Sequence, residues 1–217
     1  MKNFLCIKKM TKKILYAKAF MLVETLVMIS IMAVLGIVGF SSFKNYRDAV
    51  GVTSAAHTVA LALREAQVGA TAAQEFRIGS HNFNGIYGIY FNMAYPSKYI
   101  FFGDTAAVGS GVIYNHIYDE SDSVPDCSTF TEECIRRTDM GPDAVIQRIC
   151  FFVPPLPTDC TATIANIAFE RPNLQALINK LVGGMPVQQT NVEIDLASPE
   201  GVVRTVVVTY AGQIYVR

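Results

Sequence analysis

Residues 20–43 read FMLVETLVMISIMAVLGIVGFSSF, an apolar run whose only charged side chain is that of Glu24. A helix of this length rises roughly 36 Å, which is enough to cross a bilayer with some tilt. Six lysines and no acid precede the run in residues 1–19, whereas Lys44 and Arg47 follow it. This asymmetry predicts a cytoplasmic N-terminus and an exported C-terminal part. An ordinary signal peptide fits poorly, because its apolar core has about 7–15 residues.

The charge of the chain is divided between two unlike parts. Its 217 residues include 18 basic and 18 acidic side chains, and six of the basic ones lie in residues 1–19. The remainder therefore has a net charge near −6. Such a body is a poor general nucleic-acid binder, because phosphates are neutralised by clustered lysine and arginine. A hydrophobic content of 51% and a charged content of 17% also argue against disorder and against a coiled coil.

Glu24 is the anomaly of the apolar run. A carboxylate at mid-bilayer costs about 2.5–3.5 kcal/mol on insertion scales, so an acid inside such a run is functional by default. Two interpretations are open: the side chain snorkels to the cytoplasmic interface, or it pairs with a cation. That cation is Lys18, the nearest in the sequence, or a free α-amino group produced by cutting the chain just before the run.

Residues 18–26 read KAFMLVETL. A short basic leader, a small residue, an aromatic residue, three apolar residues and a glutamate resemble the class III signal of type IV pilins and pseudopilins. The resemblance implies that a prepilin peptidase/N-methyltransferase cleaves between Ala19 and Phe20 and then methylates the amine of Phe20. Glu24 becomes the fifth mature residue, which the family pairs with the N-terminal amine of a neighbouring subunit.

The sequence departs from the family pattern in two places. Its leader ends in Ala19, whereas family leaders usually end in glycine. The proline that the family often carries further along the helix is absent, and Gly36 and Gly39 lie in that region. Met10 offers an alternative start to Met1 and would give a ten-residue leader.

A helical pattern continues beyond the apolar run. No proline occurs before Pro96, and after Asp48 apolar residues recur every three or four positions, which is the period of one helix face. These residues are Val52, Ala56, Val59, Leu63, Ala66, Ala70 and Ala73. The sequence therefore predicts a transmembrane and assembly half at 20–43 and an amphipathic half at 44–76, after a removable leader at 1–19.

From residue 77 the pattern becomes extended. Asn84-Gly85 is a turn signal, and short alternating or β-branched runs follow it. The predicted strands are 85–92, 99–102, 111–114, 144–149, 164–169, 191–196, 202–210 and 213–216, with Ala211-Gly212 as a hairpin turn. One long helix and about seven strands predict an α+β fold, with the helix packed on an antiparallel β-sheet head at 77–217. The resemblance implies that this fold is type IV pilin-like.

Three further segments resemble the H-type minor pseudopilins of type II secretion and related minor type IV pilins. They are ALREAQVGATAAQ (62–74), IAFERPN (167–173) and VVVTYAGQIYVR (206–217). The partners implied are other pilin or pseudopilin subunits and an inner-membrane assembly platform. The location implied is a single pass through the inner membrane, followed by incorporation into a periplasmic or extracellular filament.

The cysteines favour an exported domain. Cys6 lies in the leader, which leaves Cys127, Cys134, Cys150 and Cys160. Four cysteines permit three connectivities, and the local pairs 127–134 and 150–160 are preferred. A zinc site and free thiols are the alternatives, although the spacings match no zinc ribbon or finger.

The sequence contains no recognisable catalytic motif, and we expect neither an enzyme nor a cofactor or metal site. The three histidines, His57, His81 and His116, lack metal-ligand spacing, and the acidic segment 119–126 lacks EF-hand order. Arg136-Arg137 is interpreted as a surface feature. Three function classes remain: a structural filament subunit, a DNA-uptake (competence) minor pilin, and a signal-anchored exported enzyme. The DNA-uptake interpretation needs a basic C-terminal surface, where the sequence offers only Arg204 and Arg217 after Lys180.

Overall fold

The computed structural model describes residues 3–72, 85–104, 115–118, 127, 133–152, 158–170, 172, 174–182 and 185–217. In its long helix, side chains are described at 22–39 and 46–72. The chain divides into two units, Met1–Arg47 and Asp48–Arg217.

One helix, α1 (Asn3–Thr71), runs through the first unit and continues into the second. Its segment Leu22–Gly39 is exposed, and it is long and apolar enough to cross a membrane. By length and composition this segment fits a membrane anchor or a signal sequence. The hydroxyls of Thr25 and Ser30 donate to the carbonyl oxygens of Leu22 and Leu26, at 3.0 and 2.8 Å. These polar groups are therefore satisfied within the helix, as an apolar surrounding requires.

The second part of α1 buries the predicted stripe. Six of the seven predicted positions are buried, and the seventh, Ala73, lies outside the described residues. Further alanines widen the stripe, namely Ala55, Ala60 and Ala62. The buried stripe runs from Val52 to Ala70, and α1 ends at Thr71.

Eleven strands follow within the described residues, all in the second unit. They are β1 (Ile86–Asn92), β2 (Lys98–Asp104), β3 (Cys134–Asp139), β4 (Val145–Phe152), β5 (Asp159–Ala162), β6 (Ile164–Phe169), β7 (Ala176–Val182), β8 (Met185–Gln189), β9 (Asn191–Ala197), β10 (Val203–Thr209) and β11 (Ile214–Val216). They form a six-stranded sheet of order β3-β2-β1-β6-β7-β8 and a five-stranded sheet of order β11-β10-β9-β4-β5. Neighbouring strands are antiparallel in both sheets, for example β1 with β2 and β9 with β10.

A single hydrophobic cluster contains buried side chains from the second part of α1 and from both sheets. Leu63 of α1, Ile89 of β1 and Ile194 of β9 are fully buried members. In β1 and β2 the residues of this cluster alternate with residues whose side chains lie on the opposite face of the sheet. Successive side chains of a strand point to opposite faces. That other face carries a second, smaller cluster, which includes Ile86, Tyr90, Ile100, Phe102 and Tyr118.

The α+β class and the antiparallel pairing are confirmed, but the predicted number of strands is wrong. The described residues contain eleven strands in two sheets rather than about seven in one. The missed strands are β3, β5, β7 and β8, three of which lie at the edge of a sheet. Edge strands are more exposed than central strands, so they lack a clean apolar alternation. Pro186 fits in β8 because a proline, which has no backbone N–H, is tolerated in an edge strand. The predicted strand 111–114 lies outside the described residues.

The end of α1 is hydrogen-bonded to the turn between β10 and β11. Gln67 Nε2 donates to the carbonyl oxygens of Leu174 and Gly212, both at 3.1 Å, and Arg64 donates to that of Ile214 at 3.2 Å. Gly212 has a φ of +79°, and a Cβ there would overlap the carbonyl oxygen of Leu174. The predicted Ala211-Gly212 turn is confirmed, and its glycine is needed for both conformation and space.

We predict that Gly212→Ala destabilises the protein by about 3 kcal/mol, because backbone strain and steric overlap add. Gly201→Ala is the matched control, since Gly201 has a φ of +87° but open space where the alanine Cβ would lie. Gly201→Ala should lower the free energy of unfolding by only about 1 kcal/mol, because it introduces backbone strain without steric overlap. Urea denaturation of both variants separates the two effects, and equal losses would show that the close approach to Leu174 is unimportant.

Candidate functional site

The residues of the predicted processing site lie within α1. Ala19 and Phe20 are helical, and their side chains are outside the described set. Glu24 follows Phe20 by four residues, so it lies on the same face about one turn further on. Its side chain is exposed, and no side chain that the structure describes forms a hydrogen bond or ion pair with it. The helix therefore presents one carboxylate on an otherwise apolar surface, one turn beyond the predicted new N-terminus.

The second part of α1 also has an exposed apolar side. Val50, Leu61 and Val68 are each about half exposed or more, at 48%, 62% and 62%. They lie opposite the buried stripe and are interspersed with polar residues such as Ser54 and Thr58. The sequence analysis predicts the buried stripe but not this exposed side, although both follow the same helical period.

The structure joins Cys127 to Cys134 and Cys150 to Cys160. These are the local pairs that the sequence favours. The first disulfide ties residue 127 to the start of β3, and the second joins the neighbouring strands β4 and β5. The pairing uses all four sulfurs that the alternative zinc site would require. Disulfides of this kind are typical of proteins exported to an oxidising compartment.

The basic pair Arg136-Arg137 is divided between the two faces of β3. Arg136 forms a bidentate ion pair with Glu65 of α1, at 2.6 and 3.2 Å, and its guanidinium lies 5.3 Å from the centre of the Phe101 ring. The hydrogen bond with Glu65 raises the pKa of Arg136. Arg137 lines a small cavity on the other face. Both residues are exposed, as predicted for surface features, although their surroundings differ.

The short segment 115–118 is held by three buried polar side chains that the sequence analysis missed. Asp104 accepts the backbone N–H of His116 at 2.7 Å, Asn166 accepts that of Tyr118 at 3.0 Å, and Asn179 donates to the carbonyl oxygen of His116 at 3.2 Å. The signal that could have revealed them is a polar residue at the end of, or inside, an apolar strand. Each of these side chains forms a hydrogen bond with the segment, but Asn166 Nδ2 is buried and has no hydrogen-bond partner among the described residues.

The two histidines that the structure describes have different surroundings. His116 Nε2 lies 3.0 Å from Glu170 Oε2, and His57 is exposed on α1. His81 and the acidic segment 119–126 lie outside the described residues. Over the parts of the chain that are described, no three His, Cys, Asp or Glu side chains are grouped as metal ligands.

Comparisons with known proteins add no assignment. No family model, curated protein or solved structure matches this chain.

An ion pair connects the two sheets. Lys180 of β7 donates to Asp159 of β5, and Asp159 also accepts the backbone N–H and the hydroxyl of Thr161 at 2.9 and 2.7 Å. The hydrogen bond from Lys180, followed by those from Thr161, holds the pKa of Asp159 well below the ordinary aspartate value. The folded state favours the ionised carboxylate of Asp159. The ion pair therefore stabilises the protein fully when the pH is above the ordinary pKa of aspartate, and this stabilisation is lost as the pH falls below that pKa.

We predict that Asp159→Asn lowers the thermal midpoint at pH of about 7 and that the difference from the unchanged chain shrinks below about pH 4. Lys180→Gln should produce the same pH dependence, and the double variant should lose little more than either single one. Thermal melts between about pH 3 and pH 7 provide the test. A difference that stays constant across this range would contradict the assigned role of the ion pair.

Proposed function

We propose that this chain is a structural subunit of a type IV-like filament, a minor pilin or minor pseudopilin, with no enzymatic activity. The observation that carries the proposal is the placement of Glu24 one helical turn after Phe20, in a continuous helix whose segment Leu22–Gly39 is exposed and apolar. A basic leader and a small residue, Ala19, stand immediately before Phe20.

Assembly follows from the chemistry of this segment. Before assembly, the apolar part of α1 lies in the inner membrane with the N-terminus in the cytoplasm. A prepilin peptidase then cleaves after Ala19 and methylates the new amine. The helix then moves into a bundle of related helices, where its apolar surface is buried against neighbours instead of lipid. Glu24 pairs with the Phe20 amine of an adjacent subunit. A buried carboxylate is costly alone but tolerable opposite an ammonium group, so the pair sets the helix register.

The second unit supports this proposal through its architecture. Buried alanines of α1 share one hydrophobic cluster with antiparallel strands, which is compatible with a pilin-like head packed on the helix. The two disulfides suit a head exported to the periplasm or beyond. Proposed partners are other pilin or pseudopilin subunits and an inner-membrane assembly platform, in type II secretion or in a type IV pilus.

The contacts of the C-terminal cations weigh against the DNA-uptake alternative. Arg204 donates to the Thr53 hydroxyl at 3.1 Å, and Arg217 pairs with Glu193 at 2.7 Å. Arg204 therefore has a partner on α1 and Arg217 has one on β9, and the partner of Arg217 is a carboxylate. A surface that binds nucleic acid needs clustered cations that can reach phosphates.

Processing provides the first test. We predict that the chain isolated from membranes of cells with an active prepilin peptidase begins with N-methylated Phe20. Intact mass and N-terminal sequencing measure this directly, and Ala19→Glu should block the cut because the small residue is lost. A chain that still begins at Met1 or Met10 in such cells would overturn the filament proposal and leave a plain signal anchor.

Glu24 provides the second test. We predict that Glu24→Val is inserted and cleaved normally but is lost from the filament, because an apolar side chain cannot pair with the amine. Thr25→Val is the matched control on the same helical turn, since the Thr25 hydroxyl donates to the Leu22 carbonyl oxygen of its own helix. Quantitative immunoblotting of sheared filaments against total membranes gives the incorporated fraction. Normal incorporation of the Glu24 variant would show that the carboxylate has no role in assembly.

A further inference from the structure

An exposed tyrosine follows the apolar segment of α1. After Glu24 the sequence has no charged residue until Lys44, and Tyr46 comes two positions later. The helix continues through all of these residues. The side chain of Tyr46 is 68% exposed, so most of a large ring with one polar group is presented to the surroundings of the helix.

The spacing of Glu24 and Tyr46 matches the thickness of a bilayer core. The two residues lie 22 positions apart on one helix, and both belong to the unit Met1–Arg47. At 1.5 Å per residue this spacing corresponds to roughly 33 Å along the helix axis, whereas the hydrocarbon core of a bilayer is about 30 Å thick. The carboxylate of Glu24 and the phenol of Tyr46 can therefore reach opposite interfaces at the same time.

The direction of helical side chains brings the Tyr46 ring back toward the bilayer. In an α-helix the Cα–Cβ bond is tilted toward the N-terminus, and aromatic side chains extend over the preceding turn. The ring of Tyr46 therefore lies closer to the apolar segment Leu22–Gly39 than its own Cα does. A tilt of about 20°, the average for transmembrane helices, shortens the rise between Glu24 and Tyr46 by only about 2 Å. The match with the bilayer core does not require an upright helix.

The chemistry of tyrosine suits the zone between lipid tails and water. Its ring buries apolar surface against the upper part of the acyl chains, and its hydroxyl donates a hydrogen bond to ester or phosphate oxygens of the lipid. Phe40 and Phe43 precede Tyr46 at intervals of three residues. The sequence thus concentrates aromatic residues at the end of the apolar run, as the interface ends of transmembrane helices do.

We propose that the Tyr46 ring anchors α1 in the interface of a phospholipid bilayer, at the end of the apolar segment that is remote from the basic leader. The anchor sets the depth of the helix and holds Glu24 at the opposite interface, where headgroups and water solvate its carboxylate. A slide of one helical turn would carry Glu24 roughly 5 Å into hydrocarbon and lift Tyr46 out of the interface. Tyr46 is therefore a positioning residue for Glu24. This inference rests on the membrane step of the proposed function, but not on cleavage after Ala19 or on filament assembly.

The chain contains no tryptophan, so one introduced indole reports its depth without background. The full chain is reconstituted in phosphatidylcholine and phosphatidylglycerol vesicles whose acyl chains carry bromine either near the headgroups or near the tail ends. The indole of Ile31→Trp, at the middle of Leu22–Gly39, should be quenched most by the tail-end bromines. That of Tyr46→Trp should be quenched most by the bromines near the headgroups.

The two positions separate the possible failures. Quenching at position 31 without quenching at position 46 would overturn the anchor and leave the membrane-spanning segment intact. No quenching at position 31 would overturn the membrane step and the anchor together. Neither measurement requires cleavage after Ala19, so the processing test can fail while this one succeeds.

A second measurement tests the native tyrosine, because tryptophan is itself an interfacial residue. Ile31→Trp serves as the depth reporter, and Tyr46→Ser is added to it. We expect the ratio of tail-end quenching to headgroup-side quenching to fall, because the reporter leaves the bilayer centre once the helix can slide by about a turn, roughly 5 Å. Tyr215→Ser, which removes a partly exposed tyrosine of β11, is the matched control and should leave the ratio unchanged. An equal ratio with and without the Tyr46 ring would overturn the proposal.

Discussion

The burial of small residues along one side of α1 is the constraint on which the rest of the Asp48–Arg217 unit depends. Ala56, Ala66 and Ala70 are completely or almost completely buried, and alanine allows neighbouring backbone to come close. The strands that share the cluster supply larger side chains, such as Phe91 and Ile194. Dense packing of this kind tolerates few changes of volume, so the positions of both sheets are linked to a single helix face.

The same helix meets two different demands along its length. In Leu22–Gly39 nearly every side is apolar and exposed, which is the composition that a helix needs when lipid or other helices surround it. From Asp48 onward only one side is buried, and polar residues such as Gln67 and Arg64 bond to carbonyl oxygens of the head. No proline lies between the apolar segment and the part of α1 that has one buried side. The backbone therefore remains helical although the two parts need different surroundings.

The sequence predicts those features that depend on local period, and it fails where distant residues must meet. The α1 stripe and strands such as β1, β6 and β9 follow from regular spacing of apolar residues. Strand β3 reads CIRRTD and β8 reads MPVQQ, and neither has a recognisable apolar alternation because each lies at a sheet edge. Glu24 stands out in the sequence because a charge interrupts an apolar run. The cavity that Arg137 lines does not stand out, because its residues converge only through strand register.

The edge strand β5 shows how a weak element is kept in place. It has only four residues, and its pairing with β4 is interrupted by a register shift between Ile149 and Phe151. A strand with so few ladder bonds is expected to fray. Cys160 fixes it covalently to β4, and the adjacent residue, Asp159, binds Lys180 of the other sheet. A disulfide that closes a loop this short contributes roughly 3 kcal/mol by restricting the unfolded chain. The disulfide therefore holds β5 to its own sheet, and the ion pair connects that sheet to the other one. Together they keep both sheets packed around the core to which α1 contributes.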